Sequence, residues 1–176
     1  MVSLERYYGK WHEIARLPNW FQGDGWFSFR KGVNSTATYY PTCEGKKVKV
    51  VNQLEWEYPI KFLKSFFEKK EKITGLADIK SKTSLSVSFN IFSKIFTLGK
   101  PNYYIRELIE DSDGKYLFSI VTSSTSITEQ KYAWLLSRKP PEDWTECEKK
   151  MAKDAIQKMQ LYGVNEEKLI IHSSLA

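Results

Sequence analysis

Cys43, Cys147, His12 and His172 are the two cysteines and two histidines of this 176-residue chain. They are the residue types that most often serve as nucleophile, base or transition-metal ligand. A catalytic thiol needs a base or cation beside it. A zinc site needs cysteines and histidines at characteristic spacing. Neither pattern occurs here, and no Ser–His or Cys–His set is visible. What the chain does supply is ring surface: ten Phe, ten Tyr and six Trp, 15% of all residues. Wide apolar rings bind by burial, without bond making. The rings are there to line something or to touch something, and neither a cofactor nor a metal is expected.

Net charge is +6 and the isoelectric point is near 9.1. A basic surface favours anionic partners, among them lipid headgroups. The lysines are dispersed and no RNA-binding motif appears, so no nucleic-acid partner is expected. Hydrophobic residues make up 41% and charged residues 27%, the balance of a globular protein, and the length of 176 residues predicts a single domain over 1–176. No apolar run is long enough to span a bilayer as a helix. Met1-Val2-Ser3-Leu4-Glu5 lacks a basic-then-apolar signal pattern. That start predicts a cytoplasmic or peripheral-membrane protein if Met1 is native. If a signal was removed, the protein is periplasmic, outer-membrane or secreted.

Short strands divided by turn signals must position the rings. Strands are predicted at 9–16, 33–40, 47–55, 72–80, 84–90, 103–110, 116–123 and 131–138. In the fifth, Leu85, Val87 and Phe89 alternate with Ser84, Ser86 and Ser88, the period of a half-buried strand. Asp113-Gly114 predicts a tight hairpin turn. Pro140-Pro141 stops the sheet. Thr145 followed by Glu148 reads as a capping box, opening a helix over 146–162. Met151, Ala155, Met159 and Tyr162 form its apolar stripe, and Gly163 ends it. A last short strand is expected at 168–172. Eight antiparallel strands and one helix favour an all-β up-and-down barrel, although periodicity alone leaves a sandwich open.

Six segments, in order along the chain, carry a family resemblance. Gly9-Lys10-Trp11 opens the first strand and runs on through His12-Glu13-Ile14-Ala15-Arg16-Leu17-Pro18. Ala37-Thr38-Tyr39, Val48 to Asn52, Leu85 to Phe89 and Tyr116 with Ile120-Val121 follow in order. Trp134-Leu135-Leu136-Ser137-Arg138 closes the set. This series resembles the lipocalins, in the form of the bacterial outer-membrane, apolipoprotein D and plant temperature-induced group. Most relatives have Tyr after the first-strand Trp, where this chain has His12. The resemblance implies an eight-stranded barrel over about 9–138, the helix outside it, and a short final strand. It also implies that Trp11 plugs the closed base with the Arg138 guanidinium across its indole, beside Gly9.

With that base fixed, parity assigns the walls. If Arg138 points in, so do Leu136, Trp134 and Tyr132. Val48 and Val50 point in on the third strand, and Leu85, Val87 and Phe89 on the fifth. Tyr116 is the inward residue on the seventh. These nine are the expected ligand contacts, for a fatty acid, lysophospholipid or similar lipid. At the open end, three of four loops carry large rings. Trp26 and Phe27 belong to the first, Phe62 and Phe66 to the second, and Phe92 and Phe96 to the third. Trp56 and Tyr58 are also placed in the second loop. Such rings grip a ligand at the mouth, dock on a membrane surface, or pack on each other. Arg16 reads as a solvated strand-end charge, or as a ligand carboxylate's partner if it turns inward.

Alternative functions are a lipocalin-fold isomerase or lipid-peroxide enzyme and a haem or pigment carrier. The first needs a thiol inside the barrel, but Cys43 falls in a turn and Cys147 on the helix. The second needs an inward His or Tyr, and parity turns His12 outward. Free thiols are expected for an intracellular protein, with a Cys43–Cys147 disulfide the other outcome. The expected state is a monomer or weak dimer.

Overall fold

Alternating strands and short turns close on themselves in the computed structural model, which describes residues 4–19, 22–24, 31–43, 45–58, 69–88, 102–124 and 131–175. A one-turn helix, α1 (Leu4–Tyr7), precedes the barrel. The strands are β1 (Gly9–Arg16), β2 (Lys31–Pro41), β3 (Lys47–Glu57), β4 (Lys70–Ser81) and β5 (Ser84–Ser88). They continue as β6 (Tyr103–Glu110), β7 (Tyr116–Ser124) and β8 (Lys131–Ser137). Each pairs antiparallel with the next, and β1 pairs with both β8 and β2, so the sheet is closed. Closure joins the first and last strands, which in an open sheet would be edges. The architecture is an eight-stranded antiparallel up-and-down barrel. A two-residue strand, β9 (Ile170–Ile171), pairs with Ala15 and Arg16 outside it.

Two apolar clusters divide the strand faces. The inner one joins Trp11, Val48, Val50, Ala77, Leu85, Val87, Ile105, Val121 and Leu136. The outer one joins Ile14, Phe118, Ile120 and Leu135 to the helix α2 (Glu146–Lys158) through Ala152, Ala155 and Ile156, and to Met159 just beyond it. Helical periodicity thus places an apolar stripe against the sheet, wider than the residues at 151, 155, 159 and 162 alone. Trp144 sits edge-on to Phe118 at 5.2 Å and hydrogen-bonds to the Lys139 carbonyl at 3.2 Å. Beyond α2 the chain tightens into a 3-10 turn, Met159–Tyr162, and Gly163 ends it at φ 77°. The final strand is shorter than 168–172 because Glu166–Lys168 forms a 3-10 turn capped by the Asn165 side chain. The β6–β7 connection is also wider than a two-residue turn. It spans 111–115, with the Asp111 carboxylate accepting from the Asp113 and Lys115 amides at 2.9 Å.

The α2 capping box is complete. Thr145 Oγ1 accepts from the Glu148 amide at 3.2 Å, and Glu148 Oε2 accepts from the Thr145 amide at 2.7 Å. Lys139 beside it and the Thr145 amide hold the Glu148 carboxyl below its usual range. A depressed carboxyl adds stability above its unfolded pKa, and that stability is lost as pH falls through the folded value. Thr145→Ala should cost about 1 kcal/mol, read as a midpoint shift in urea denaturation at neutral pH. An unchanged midpoint would show that the cap contributes nothing measurable.

Candidate functional site

The barrel floor is built where the first strand begins. Gly9 has φ 101°, a conformation L side chains rarely adopt, and a Cβ there would meet Arg138 Nη1 at 3.2 Å. That close approach admits the guanidinium over the next inward residue. Arg138 Cζ lies 3.8 Å from the Trp11 ring centroid. Its nitrogens donate to the Lys10 carbonyl at 3.1 Å and the Arg6 carbonyl at 2.6 Å. Trp11 is fully buried, and its Nε1 donates to the Tyr7 carbonyl at 2.9 Å. The short helix α1, which the sequence reading leaves unassigned, therefore belongs to the floor. It supplies Tyr7, whose ring centroid lies 4.9 Å from that of Trp11.

Above the floor, strand parity turns the expected residues to one side. Val48, Val50, Leu85, Val87, Tyr116 and Leu136 share the inner cluster, and Trp134 packs against it. The Tyr132 ring lies 5.9 Å from that of Trp134. Phe89 lies outside the described residues, as do Trp26, Phe27, Phe62, Phe66, Phe92 and Phe96. Trp134 and Tyr103 face inward yet remain partly accessible.

A phenol cluster missed by the sequence reading stands on the floor. Tyr7 and Tyr103 share a hydrogen bond of 3.0 Å between their hydroxyls, and Tyr39 and Tyr103 one of 2.6 Å. Burial raises the pKa of all three, well above the ordinary value for Tyr39 and Tyr103. The phenols are neutral at physiological pH and act as hydrogen-bonding groups. Parity with Ala37 could have flagged Tyr39. Tyr103 faces inward because it pairs with Leu85.

Two expectations are corrected toward the open end. Trp56 is a strand residue and not a loop ring, and Tyr58, just past the strand, is buried and not an exposed mouth ring. β3 runs to Glu57, and both rings are buried with Leu54 in a cluster of their own. Trp56 Nε1 donates to Glu71 Oε2 at 2.8 Å, giving the indole a strand partner. Arg16, in turn, is neither solvated nor free to meet a ligand. Ile14 is an extra residue between the Glu13–Leu136 and Ala15–Leu135 pairs, a β-bulge that re-aims the following side chains. Glu13 and Arg16 consequently turn the same way. Arg16 donates to both Asp24 oxygens at 2.9 Å, to Glu13 Oε1 at 2.7 Å and to the Gly32 carbonyl at 3.1 Å. Gln22 donates to Glu13 Oε2 at 2.7 Å and to Ser35 Oγ at 3.0 Å. Burial pushes the Glu13 carboxyl up despite the Arg16 charge.

Cys43 and Cys147 are unpaired and exposed. His12 is half-buried, with its pKa lowered by burial and by Lys10. His172 Nε2 lies 3.2 Å from Asn34 Oδ1, and its backbone amide donates to the Ile14 carbonyl beside β9. No group of three or more potential metal ligands occurs among the described residues.

A family model described as a lipocalin-like domain matches residues 2–166. A protein of Acanthamoeba polyphaga mimivirus whose name calls it a lipocalin is 46% identical over 55 residues, 31% of this chain and 27% of that protein. The match thus spans about a quarter of the relative's length. Among solved structures, one titled as the siderocalin Ex-FABP, with dual ligand specificities, superposes at TM-score 0.54 and 12% identity. It covers 94% of this chain and 93% of that one. A structure titled as a biogenic amine-binding protein superposes at TM-score 0.47 and 15% identity, covering 96% and 80%. With its closed barrel, outer helix and a family match over nearly its whole length, the chain belongs to the lipocalin family.

Proposed function

We propose that this lipocalin binds and carries an apolar small molecule of lipid character in its barrel, without catalysis, within the apolipoprotein D and bacterial outer-membrane group. The observation that carries this reading is the inner wall. Val48, Val50, Leu85, Val87 and Leu136 present side chains that no solvent-facing strand needs, while inward Trp134 and Tyr103 retain accessible surface. At roughly 25 cal/mol per Å2, a chain that buries a few hundred Å2 gains several kcal/mol before entropy is subtracted. That supports affinity on the order of micromolar. Both thiols are exposed, which supports binding over thiol chemistry. The neutral phenols support hydrogen bonding over phenolate ligation of haem iron. The rings that the sequence assigns to the mouth, with Lys61, Lys64, Lys69, Lys70, Lys94 and Lys100 near them along the chain, support docking on an anionic membrane. Such docking requires salt-sensitive binding to anionic vesicles.

Binding is tested with a fluorescent polyene fatty acid. Saturable uptake with quenching of tryptophan emission is expected. Val87→Trp, which inserts an indole at the wall of β5, should weaken it about tenfold, equivalent to ~1.4 kcal/mol. Failure of the wild-type protein to take up any lipophilic probe would sink the carrier reading.

A further inference from the structure

The outer face of the wall at β2, β3 and β4 carries charge and apolar surface that the lumen does not use. Strand parity sets it out in rows. Tyr39, Val48, Val50 and Ala77 point in, so Tyr40, Lys49 and Leu76 point out. Cross-strand register sets these three side by side, Tyr40 opposite Lys49 and Lys49 opposite Leu76. Tyr40 is 47% exposed and Leu76 50%, two of the three large apolar side chains left exposed among the described residues. They stand ~10 Å apart, two strand spacings, with the Lys49 stem between them. Thr38, Val51 and Thr74 form the next row toward the mouth.

Lysines surround the apolar pair. Lys47 lies one row toward the closed end, opposite Asp78, and Lys72 lies on the other side, opposite Gln53. Lys46 joins from the β2–β3 turn, which is held against β4 by the Ile79 amide donating to the Lys46 carbonyl at 3.0 Å. Lys80 bounds the face, 3.9 Å from Asp78. Asp78 is the one carboxylate among the described outward residues of these rows. Other acids begin where the face ends. Glu55, nearer the mouth, is bound to Lys70 at 2.8 Å, and Glu142 and Asp143 act on His12 over on β1.

Charge and shape together choose the occupant. A second copy would bring the same lysines and be repelled. Membrane docking rests on a continuous apolar face, and here a lysine separates Tyr40 from Leu76. A small apolar centre inside a charged rim is the anatomy of a protein interface, with Tyr a frequent anchor. The rim is positive, so the matching surface is acidic. Three strands make a small face, of the size that transient complexes use.

We infer that the outer face of β2–β4, centred on Tyr40, Lys49 and Leu76, docks an acidic protein surface with an apolar centre in a transient, salt-sensitive complex. The face lies on the outside of the wall, apart from the lumen, and does not rest on the carrier reading.

The probe is a short Glu-rich peptide that includes Leu, beside the same peptide with Ser for Leu. Each is titrated into isotope-labelled protein with amide shifts read by NMR. Shifts should concentrate at Lys47, Lys49, Thr74 and Leu76 and be absent from Lys149, Lys150 and Lys153, a second lysine cluster on α2. Lys49→Glu should weaken binding about tenfold, and raised salt should weaken it too. Leu76→Ser should weaken the Leu peptide about threefold and leave the Ser peptide unchanged. Both substituted side chains are exposed, so the fold tolerates the changes. No peptide binding at low salt would overturn the proposal, as would shifts centred on α2, shifts spread over every lysine, or unchanged affinity in Lys49→Glu. Vesicles of phosphatidylcholine and phosphatidylserine form a second arm. If they bind through Lys49 and the peptide does not, the face is a membrane contact and the proposal fails. A dimer in sedimentation that Leu76→Ser dissociates would assign the face to a second copy and overturn it equally.

Discussion

Arg16→Ala is expected to destabilise the protein by about 3–5 kcal/mol, because it strands two buried carboxylates. The three side chains are almost wholly removed from solvent: Arg16 is 5% exposed, Glu13 10% and Asp24 3%. The guanidinium satisfies both carboxylates and the Gly32 carbonyl. Asp24 additionally accepts from the Asn19 amide at 3.0 Å, so the loss propagates into the segment that leads away from β1. Arg16→Lys should restore little, since an ammonium cannot reproduce the bidentate fork. The deficit should also depend on pH, and its sign follows from Glu13. Burial raises the Glu13 carboxyl in the folded protein, so the folded state binds a proton more readily than the unfolded chain. Its contribution is most favourable below the unfolded pKa and falls as pH rises through the folded value. In Arg16→Ala that elevation grows, and lowering pH toward about 5 should narrow the gap to wild type. Urea denaturation at both pH values measures it. A deficit below about 1 kcal/mol at neutral pH would show that the cluster is not the anchor described here.

Removing the floor should cost as much. Trp11→Ala deletes a fully buried indole, for which large-to-small core changes predict about 3–5 kcal/mol. It also strands the Tyr7 carbonyl that Nε1 satisfies and uncovers the face on which Arg138 lies. Two milder variants separate these contributions. Trp11→Phe keeps a ring for the guanidinium but loses the hydrogen bond, and about 1–2 kcal/mol is expected. Arg138→Met keeps the indole and loses a shielded cation–π contact of up to about 2 kcal/mol, together with its bonds to α1. Equilibrium denaturation ranks the three. If Arg138→Met were as stable as wild type, the guanidinium would be a bystander and the floor would rest on the indole alone. Because Tyr7 leans on Trp11, Trp11→Ala should also loosen the phenol cluster.

Much of this arrangement was legible before folding was considered. The Ser–hydrophobic alternation of 84–88 and the Thr145–Glu148 spacing report local physics, and β5 and α2 stand where those patterns lie. β1 and β6 coincide with their predicted limits because Gly9, Arg16, Tyr103 and Glu110 bound uninterrupted strand patterns. The floor residues Trp11 and Arg138 were recognised by likeness to relatives. Their spacing along the chain says nothing of a stacked pair.

Period and turn chemistry by themselves determined the strands, the helix and which wall residues share a face, because each side chain's direction follows from its immediate neighbours. Closure decided the rest. Tyr7, Tyr39, Tyr103 and Ser119 come from four separate elements and meet only when the sheet curls on itself. The bulge at Ile14 is invisible to a period-two reading, and it alone turns Glu13 and Arg16 to the same side. Burial then made a charge that looked like a strand-end cation into the centre of an ion cluster. Distances between residues far apart in sequence, and the solvent removed from between them, are properties of the closed barrel and of no segment within it.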